Sequence, residues 1–391
     1  VPAALAGQAL LQVDDTARAL RRLAAAYRLK VAPRIVAITG SVGKSTVKEM
    51  TTQILASALP AAGTKGNWNN DVGLPLSLLA MGPATRAGVF EIGTNHPGEL
   101  APLCELLKPD CGVVTNVGPV HIEFFGSVEA IADEKATLLR SLPPGGVAIL
   151  NRDGGHFDFL RSCAPGRVTT VSLQGQADYV CVARNPPAGE ATLREAGSGE
   201  TFAFRMPVKG EHNIANAMLA IAVAREFGLG WEQIRGALGA YAPLPMRGEE
   251  KSIAGLSLVN DAYNANPLSM RASIRAFGED AVTGAKWLIL GGMRELGDRQ
   301  DEEHIALGRF VGGGKWAGLI VVGPLGKLIA RGAEEAGFGR ERVFCCENNE
   351  AAARLVMGNL KPGDRALLKA SRGMRLEEIM ATMEKAGRGV S

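Results

Sequence analysis

Short apolar runs alternate with amphipathic stretches along most of the chain. Arg34–Thr39 is the first run, followed by a glycine turn at Gly40–Lys44 and then Ser45–Leu59. In that last stretch Val47, Met50, Ile54 and Ala58 recur at helical spacing. Gly88–Ile92, Cys111–Asn116 and Gly146–Leu150 predict further strands, with helical patterns at Leu74–Met81, Glu99–Leu107 and Ser127–Leu142. Strands separated by helices imply a parallel sheet with right-handed crossovers. Ahead of them, Leu20, Leu23 and Tyr27 oppose Arg18, Arg21, Arg22 and Arg28, which predicts an amphipathic helix in the first thirty residues.

The rhythm changes at Arg167–Val208. Tyr179–Arg184 and Glu200–Met206 alternate in period two around Asn185-Pro-Pro, predicting an antiparallel insert or appended sheet. Helices are expected from about Asn213 to Phe227 and from Trp231 to Ala240, then a linker at Tyr241-Ala-Pro-Leu-Pro. A second α/β run follows, with strands near Leu256–Asn260, Trp287–Leu290, Gly318–Val322, Arg342–Cys345 and Arg365–Lys369. The fold class is therefore α/β: a central domain over residues 31–243 and a doubly wound, Rossmann-like domain over 244–391. The central domain combines a mostly parallel sheet with a small antiparallel one.

Composition narrows the function. Lys+Arg 43 against Asp+Glu 40 leaves +3 over 391 residues, too little to imply nucleic acid or an acidic membrane as partner. Hydrophobic content of 46% with 21% charged residues excludes a disordered chain. The six cysteines (Cys104, Cys111, Cys163, Cys181, Cys345, Cys346) form no C-x-x-C pair and no zinc spacing, and are read as buried free thiols of a reducing compartment. No stretch is apolar enough to span a membrane, and the apolar opening Val1–Val13 lacks the basic start of a signal peptide. The expectation is a soluble cytoplasmic protein whose first residue, valine, marks a truncated N-terminus.

The strongest local signal is Thr39-Gly40-Ser41-Val42-Gly43-Lys44-Ser45-Thr46, after a strand and at the start of a helix. Its glycines let backbone N–H groups close around phosphate oxygens, and the helix N-terminus favours negative charge. Lys44 would neutralise the β- and γ-phosphates, and Ser45 or Thr46 would offer a hydroxyl to Mg²⁺. The bland alternative, an ordinary strand–helix turn, sits badly with a lysine against the helix dipole. No Asn-Lys dipeptide and no D-x-x-G occurs, so the guanine-reading N-K-x-D is missing and adenine is the expected base.

Other polar residues fall at strand ends. Glu91 interrupts a buried run, where an unpaired carboxylate would be costly, and this favours a metal or cation partner. His121 follows Asn116 by five residues; a lone histidine is more often structural than a ligand. Lys135 by itself reads as a solvated helix charge. His212 and Asn213 open an alanine-rich helix, Asn213 as a plain N-cap on the simplest view. Arg247 follows the linker, where it could reach across a cleft to a phosphate. Asp261-Ala-Tyr263-Asn264-Ala-Asn266-Pro-Leu-Ser269 ends a strand with five polar side chains.

In this order, T-G-x-x-G-K-S-T, N67-W-N69-N70-x-x-G73-x-P75, E91-I-G-T-N-H-P-G, T115-N-V-G-P-V-H121, G-E-H212-N213-x-x-N216 and M-R247-G-E resemble the Mur ligase family. The string D261-A-Y-N-A-N-P-L-S-M, with E295-L-G and K369-A-S371-R372-G-M, points within it to enzymes joining D-alanyl-D-alanine to UDP-N-acetylmuramoyl-tripeptide. The resemblance implies ATP as phosphoryl donor, two Mg²⁺ ions, those two substrates and a monomer. It gives Gly40–Thr46 to the phosphates, Ser45 and Glu91 to one Mg²⁺, and His121 to a second. Lys135 falls where relatives carry a carbamylated lysine facing that second ion. Asn213 would contact adenine, Arg247 the γ-phosphate and Asp261 the ribose. Asn69, Asn70, Asn264, Asn266, Lys369, Ser371 and Arg372 are substrate candidates; Ala370 stands where relatives often have glycine. Residues 1–30 are expected to be the remnant of an N-terminal UDP-binding domain. The rivals are another ligase of the superfamily, such as a polyglutamate-adding one, and a nucleotide-binding scaffold without catalysis.

Overall fold

The computed structural model describes residues 10–281 and 283–388, so the opening residues of the apolar stretch, including the first nine of residues 1–30, lie outside what is described. The expected helix runs Thr16–Val31, with Asp15 accepting from the Arg18 amide as its N-cap, but Leu23 is exposed and it is Ala24 that is buried. It is fastened to the first sheet's helical layer: Tyr27 donates to Met81 O at 2.6 Å and Arg28 to Leu107 O at 2.7 Å.

Nine strands form the first sheet: β1 (Arg34–Thr39), β2 (Ala61–Gly63), β3 (Ala87–Glu91), β4 (Cys111–Val114), β5 (Val147–Asn151), β6 (Arg167–Ser172), β7 (Tyr179–Asn185), β8 (Glu190–Glu195) and β9 (Thr201–Arg205). Their order is β2-β3-β1-β4-β5-β6-β7-β8-β9. The members up to β7 pair in parallel, and β7-β8-β9 form an antiparallel meander. The antiparallel strands are thus appended to the parallel sheet's edge through β6–β7. The apolar cores of β1 (Ile35–Ile38) and β4 are buried on both faces, as parallel strands covered by helices must be. One face carries the helices Lys44–Ala56 and Glu211–Glu226, whose alanine-rich surface packs against Val36, Ile38 and Val113. The other carries Gly73–Leu79, Leu100–Leu107 and Thr16–Val31.

The second sheet comprises β10 (Glu249–Ile253), β11 (Leu256–Asn260), β12 (Lys286–Gly291), β13 (Gly318–Val322), β14 (Val343–Cys346) and β15 (Arg365–Lys369), ordered β10-β11-β15-β12-β13-β14. All pairs are parallel except β10–β11. That pair is a hairpin turned by Ala254 and Gly255, both at positive φ as a type I′ turn requires. Helices cover both faces, making the doubly wound arrangement expected from the sequence. Register carries the chemistry to one edge. Glu91 pairs with Ile38, one residue short of the end of β1, and Lys369 pairs with Leu290 while Asp261 follows the end of the adjacent β11.

All six cysteines are free, but they are not uniformly buried: Cys163 is half-buried and Cys345 is exposed. Burial pushes the Cys111 thiol up to about 12. Among the described residues no helix is long and apolar enough to cross a membrane.

Candidate active site

The glycine loop between β1 and the helix Lys44–Ala56 is tied down from the end of β4. Asn116 accepts from the Val42 amide and donates to its carbonyl, both at 2.9 Å, and Thr115 Oγ1 donates to the same carbonyl at 2.6 Å. Ser41 Oγ bonds the Gly118 amide and carbonyl. Two glycines are required. A Cβ on Gly40 would stand 1.9 Å from Thr115 Oγ1, and one on Gly43, at φ +86°, would stand 2.5 Å from Asn216 Oδ1.

Lys44 Nζ folds back onto the loop, donating to Gly40 O at 2.7 Å. Burial lowers its pKa, Arg247 adds to the effect and Glu91 opposes it. Glu91 is 3% exposed and is not unpaired: it accepts from Ser45 Oγ at 2.6 Å and from Asn69 Nδ2 at 2.7 Å. Ser45 also accepts from Arg247 Nη2 at 2.9 Å, so a hydrogen-bond chain crosses from the second sheet's unit to the first. The Arg247 guanidinium lies 4.0 Å over the Tyr263 ring, with its Nε buried and unpaired. Asn70 is spent on structure, accepting from the Gly73 amide at 2.8 Å.

Lys135 is not a solvated charge. It is 4% exposed, and burial, reinforced by Lys44, pushes its pKa down to about 7. His121 turns its Nδ1 to the carboxylate of Glu295, which comes from the loop after β12. Burial lowers the His121 pKa; Glu295 opposes this, and Lys44 and Lys135 add to it. Asn213 does not cap its helix. Gly210, at φ +95°, is the N-cap, while Asn213 donates to Lys209 O and accepts from Asn216.

Between the two sheets' units lies a cavity of about 1200 Å³. Its walls include the loop Ser41–Thr46, Asn69, Asn70, Glu91, His121, Asn213, Arg247, Asp261, Asn264, Asn266 and Lys369. Lys135, Ser371 and Arg372 are not among them. Ser371 is buried and bonds the Arg294 amide, and Arg372 pairs with Glu377 at 2.5 Å. Asn266 caps the helix Pro267–Glu279. Lys369 is 4% exposed and pairs with Asp261 at 2.6 Å, while Ser273 donates to the same carboxylate oxygen. At the cavity's far end Lys209 bridges the units through Asp280 at 2.9 Å, and Arg365 also holds Asp280. Tyr263, Asn216 and Glu295 sat inside the quoted motifs, but nothing in their residue type gave them a role; Lys209 and Asp280 carried no signal.

A glycine loop at a helix N-terminus, facing a doubly wound unit across a polar cleft, is the architecture of an enzyme built from two cooperating units. The chain belongs to the Mur ligase family: the family described as Mur ligase middle domain matches residues 38–224, and that described as Mur ligase, glutamate ligase domain matches residues 246–372. The UDP-N-acetylmuramoyl-tripeptide–D-alanyl-D-alanine ligase of Bacillus subtilis is 37% identical over 383 residues, covering 97% of this chain and 82% of that protein. The protein of the same name from Escherichia coli is 32% identical, covering 96% and 82%. Among solved structures, MurF from Acinetobacter baumannii superposes with a TM-score of 0.87 at 30% identity, covering 96% of this chain and 82% of that one. MurF from Thermotoga maritima in complex with ADP gives 0.84 at 26% identity, covering 97% and 86%.

The donors at Ser45 and Glu91 fit Mg²⁺. Among the described residues no three His, Cys, Asp or Glu side chains cluster as a metal site. A hydroxyl beside one carboxylate suits Mg²⁺, which takes one or two carboxylates and completes its shell with phosphate oxygens and water.

Proposed function

We propose that the protein is an ATP-dependent ligase that adds D-alanyl-D-alanine to UDP-N-acetylmuramoyl-tripeptide. The observation that carries this reading is the chain Arg247–Ser45–Glu91 across the cleft, with Lys44 beside it. These groups gather opposite charges where a triphosphate's end would meet a second anion. The identity of the curated relatives over nearly the whole chain supports the same substrates.

A carboxylate is a poor electrophile at neutral pH. Its oxygen therefore takes the γ-phosphoryl group of ATP, the bond to ADP breaks, and an acyl phosphate forms. The neutral amine of the dipeptide then attacks the acyl carbon; the amide bond forms, phosphate leaves with the bonding pair, and the amine proton goes to solvent. The loop amides and Lys44 hold the phosphates, and Arg247 stabilises charge on the transferring group. Asn213 faces adenine and Asp261 the ribose; Asn69 fixes Glu91 by its 2.7 Å hydrogen bond. Ser45 and Glu91 would hold one Mg²⁺, and His121 with a carbamylated Lys135 a second. When bound, these ions supply neutralisation of phosphate charge. The lowered pKa of Lys135 supports the carbamate, since only a neutral amine adds CO₂. The reading takes the protein as a monomer. The division at residues 30 and 243 is the domain arrangement we infer, with the cleft between the second and third parts.

The test is ADP release by the purified protein with ATP, Mg²⁺, the UDP-linked tripeptide and D-alanyl-D-alanine. Release that requires both acceptor substrates supports the reading. Release with glutamate in place of the dipeptide would favour a polyglutamate-type ligase, and binding of ATP without release would favour a scaffold.

A further inference from the structure

The contact between His121 and Glu295 joins the two units at a point where both backbones are unusual. His121 lies at φ +56° and Glu295 at φ +62°, the left-handed region that non-glycine residues seldom occupy. Left-handed residues of this kind persist where the surroundings over-determine them, and they concentrate at functional sites. Here the surroundings are close backbone approaches on either side of the pair. A Cβ on Gly118 would meet Leu268 Cδ1 at 2.1 Å, and one on Gly297, itself at φ +53°, would meet Glu123 Cα at 3.3 Å. The loops bearing His121 and Glu295 are therefore held in register by glycines that let the two units touch.

The chemistry of the contact decides how the imidazole is presented. A carboxylate only accepts hydrogen bonds, so the ring proton belongs on Nδ1 and the lone pair on Nε2. Histidines that bind metals usually donate their other ring N–H to a carboxylate or carbonyl, which fixes tautomer and ring orientation and raises ligand basicity. Glu295 is 43% exposed and its carboxylate has no other protein partner among the described residues, so its side chain is not committed to packing.

We propose that Glu295 is a positioning residue for the ligation reaction: it sets the tautomer and orientation of His121, so that the Nε2 lone pair is offered to a divalent cation only while the two units are together. This rests on the assignment of His121 to the second Mg²⁺ made above.

The test uses Glu295→Ala, Glu295→Gln and His121→Ala in the full chain. Mn²⁺ affinity is measured by electron paramagnetic resonance in the presence of a non-hydrolysable ATP analogue, and imidazole ¹⁵N shifts report the tautomer. With five histidines in the chain, His121→Ala identifies the signal by its loss. Glu295→Ala is expected to weaken Mn²⁺ binding about 10–100-fold, the usual cost of losing such a partner, and to move His121 toward the Nε2–H form. Glu295→Gln, whose amide oxygen still accepts, is expected to keep the tautomer and part of the affinity, and it serves as the test should the alanine variant not fold. Unchanged Mn²⁺ affinity in Glu295→Ala, beside a weakened His121→Ala, overturns the role of Glu295 alone. Unchanged affinity in His121→Ala removes His121 from the metal set, and the proposal with it.

Discussion

Arg247 donates to Ser45 Oγ across the cleft at 2.9 Å, and that hydroxyl donates onward to Glu91 at 2.6 Å. One oxygen thus answers to both units. The arginine is further aligned by the Tyr263 ring 4.0 Å away. Lysine cannot supply both the planar stack and the forked donors. Arg247→Lys is expected to lower kcat about 10–100-fold, the worth of a charge-assisted hydrogen bond, with a smaller change in ATP affinity. Equal losses in kcat and in ATP affinity would assign Arg247 to holding the units together instead of to the transferring group.

Lys44→Ala should leave the fold intact, because Nζ touches only loop carbonyls. ATP binding is expected to weaken by about 1.5–3 kcal/mol and ligation to be lost. Calorimetry with ATP and a melting curve check this together. Full activity in a folded variant would end the nucleotide-loop reading.

In the absence of CO₂, with its amine unmodified, Lys135 makes stability depend on pH. Its folded pKa of about 7 lies below the ordinary lysine value, so the unfolded chain binds the proton more tightly. The burial cost is present in full below pH 7 and is relieved as pH rises from 7 toward the ordinary value, so stability rises over that window. Lys135→Met is expected to stabilise the protein at pH 6, by on the order of a few kcal/mol, and to gain little at pH 9.5. Denaturant titrations at the two pH values decide it; equal gains would mean that Lys135 is not held near neutrality. A carbamate on Lys135 should also give a ¹³C signal from labelled bicarbonate that Lys135→Met lacks.

Lys369 was a substrate candidate by resemblance, yet it is buried against Asp261. Lys369→Met would strand that carboxylate, costing about 3–5 kcal/mol, and Lys369→Met with Asp261→Asn should recover part of it. The KM for ATP is expected to rise while that for D-alanyl-D-alanine holds. A selective rise for the dipeptide would place Lys369 at the acceptor instead.

What the sequence made legible follows from periodicity. The apolar runs of β1, β3, β4 and β13 are buried on both faces, and such strands announce themselves. The polar β10, Glu-Glu-Lys-Ser-Ile, is an edge strand made by its hairpin turn and shows no run; β2 is only Ala-Ala-Gly. The glycine loop was legible because its φ angles demand glycine. Pairings between distant residues were not: Lys369 is a substrate candidate by resemblance until Asp261 is seen beside it, and His121 gives no hint of Glu295, 174 positions away.

The segment Thr115–Gly118 bonds to the glycine loop at Ser41 and Val42, and three residues further on it delivers His121. The loop is thus held in place by groups from a neighbouring strand end, and a phosphate bound there, as proposed, is expected to cost little conformational entropy. The same stretch ties two places together: only Pro119 and Val120 separate Gly118, which is bonded to Ser41 of the loop, from His121, so a displacement of the loop is expected to be felt at the imidazole.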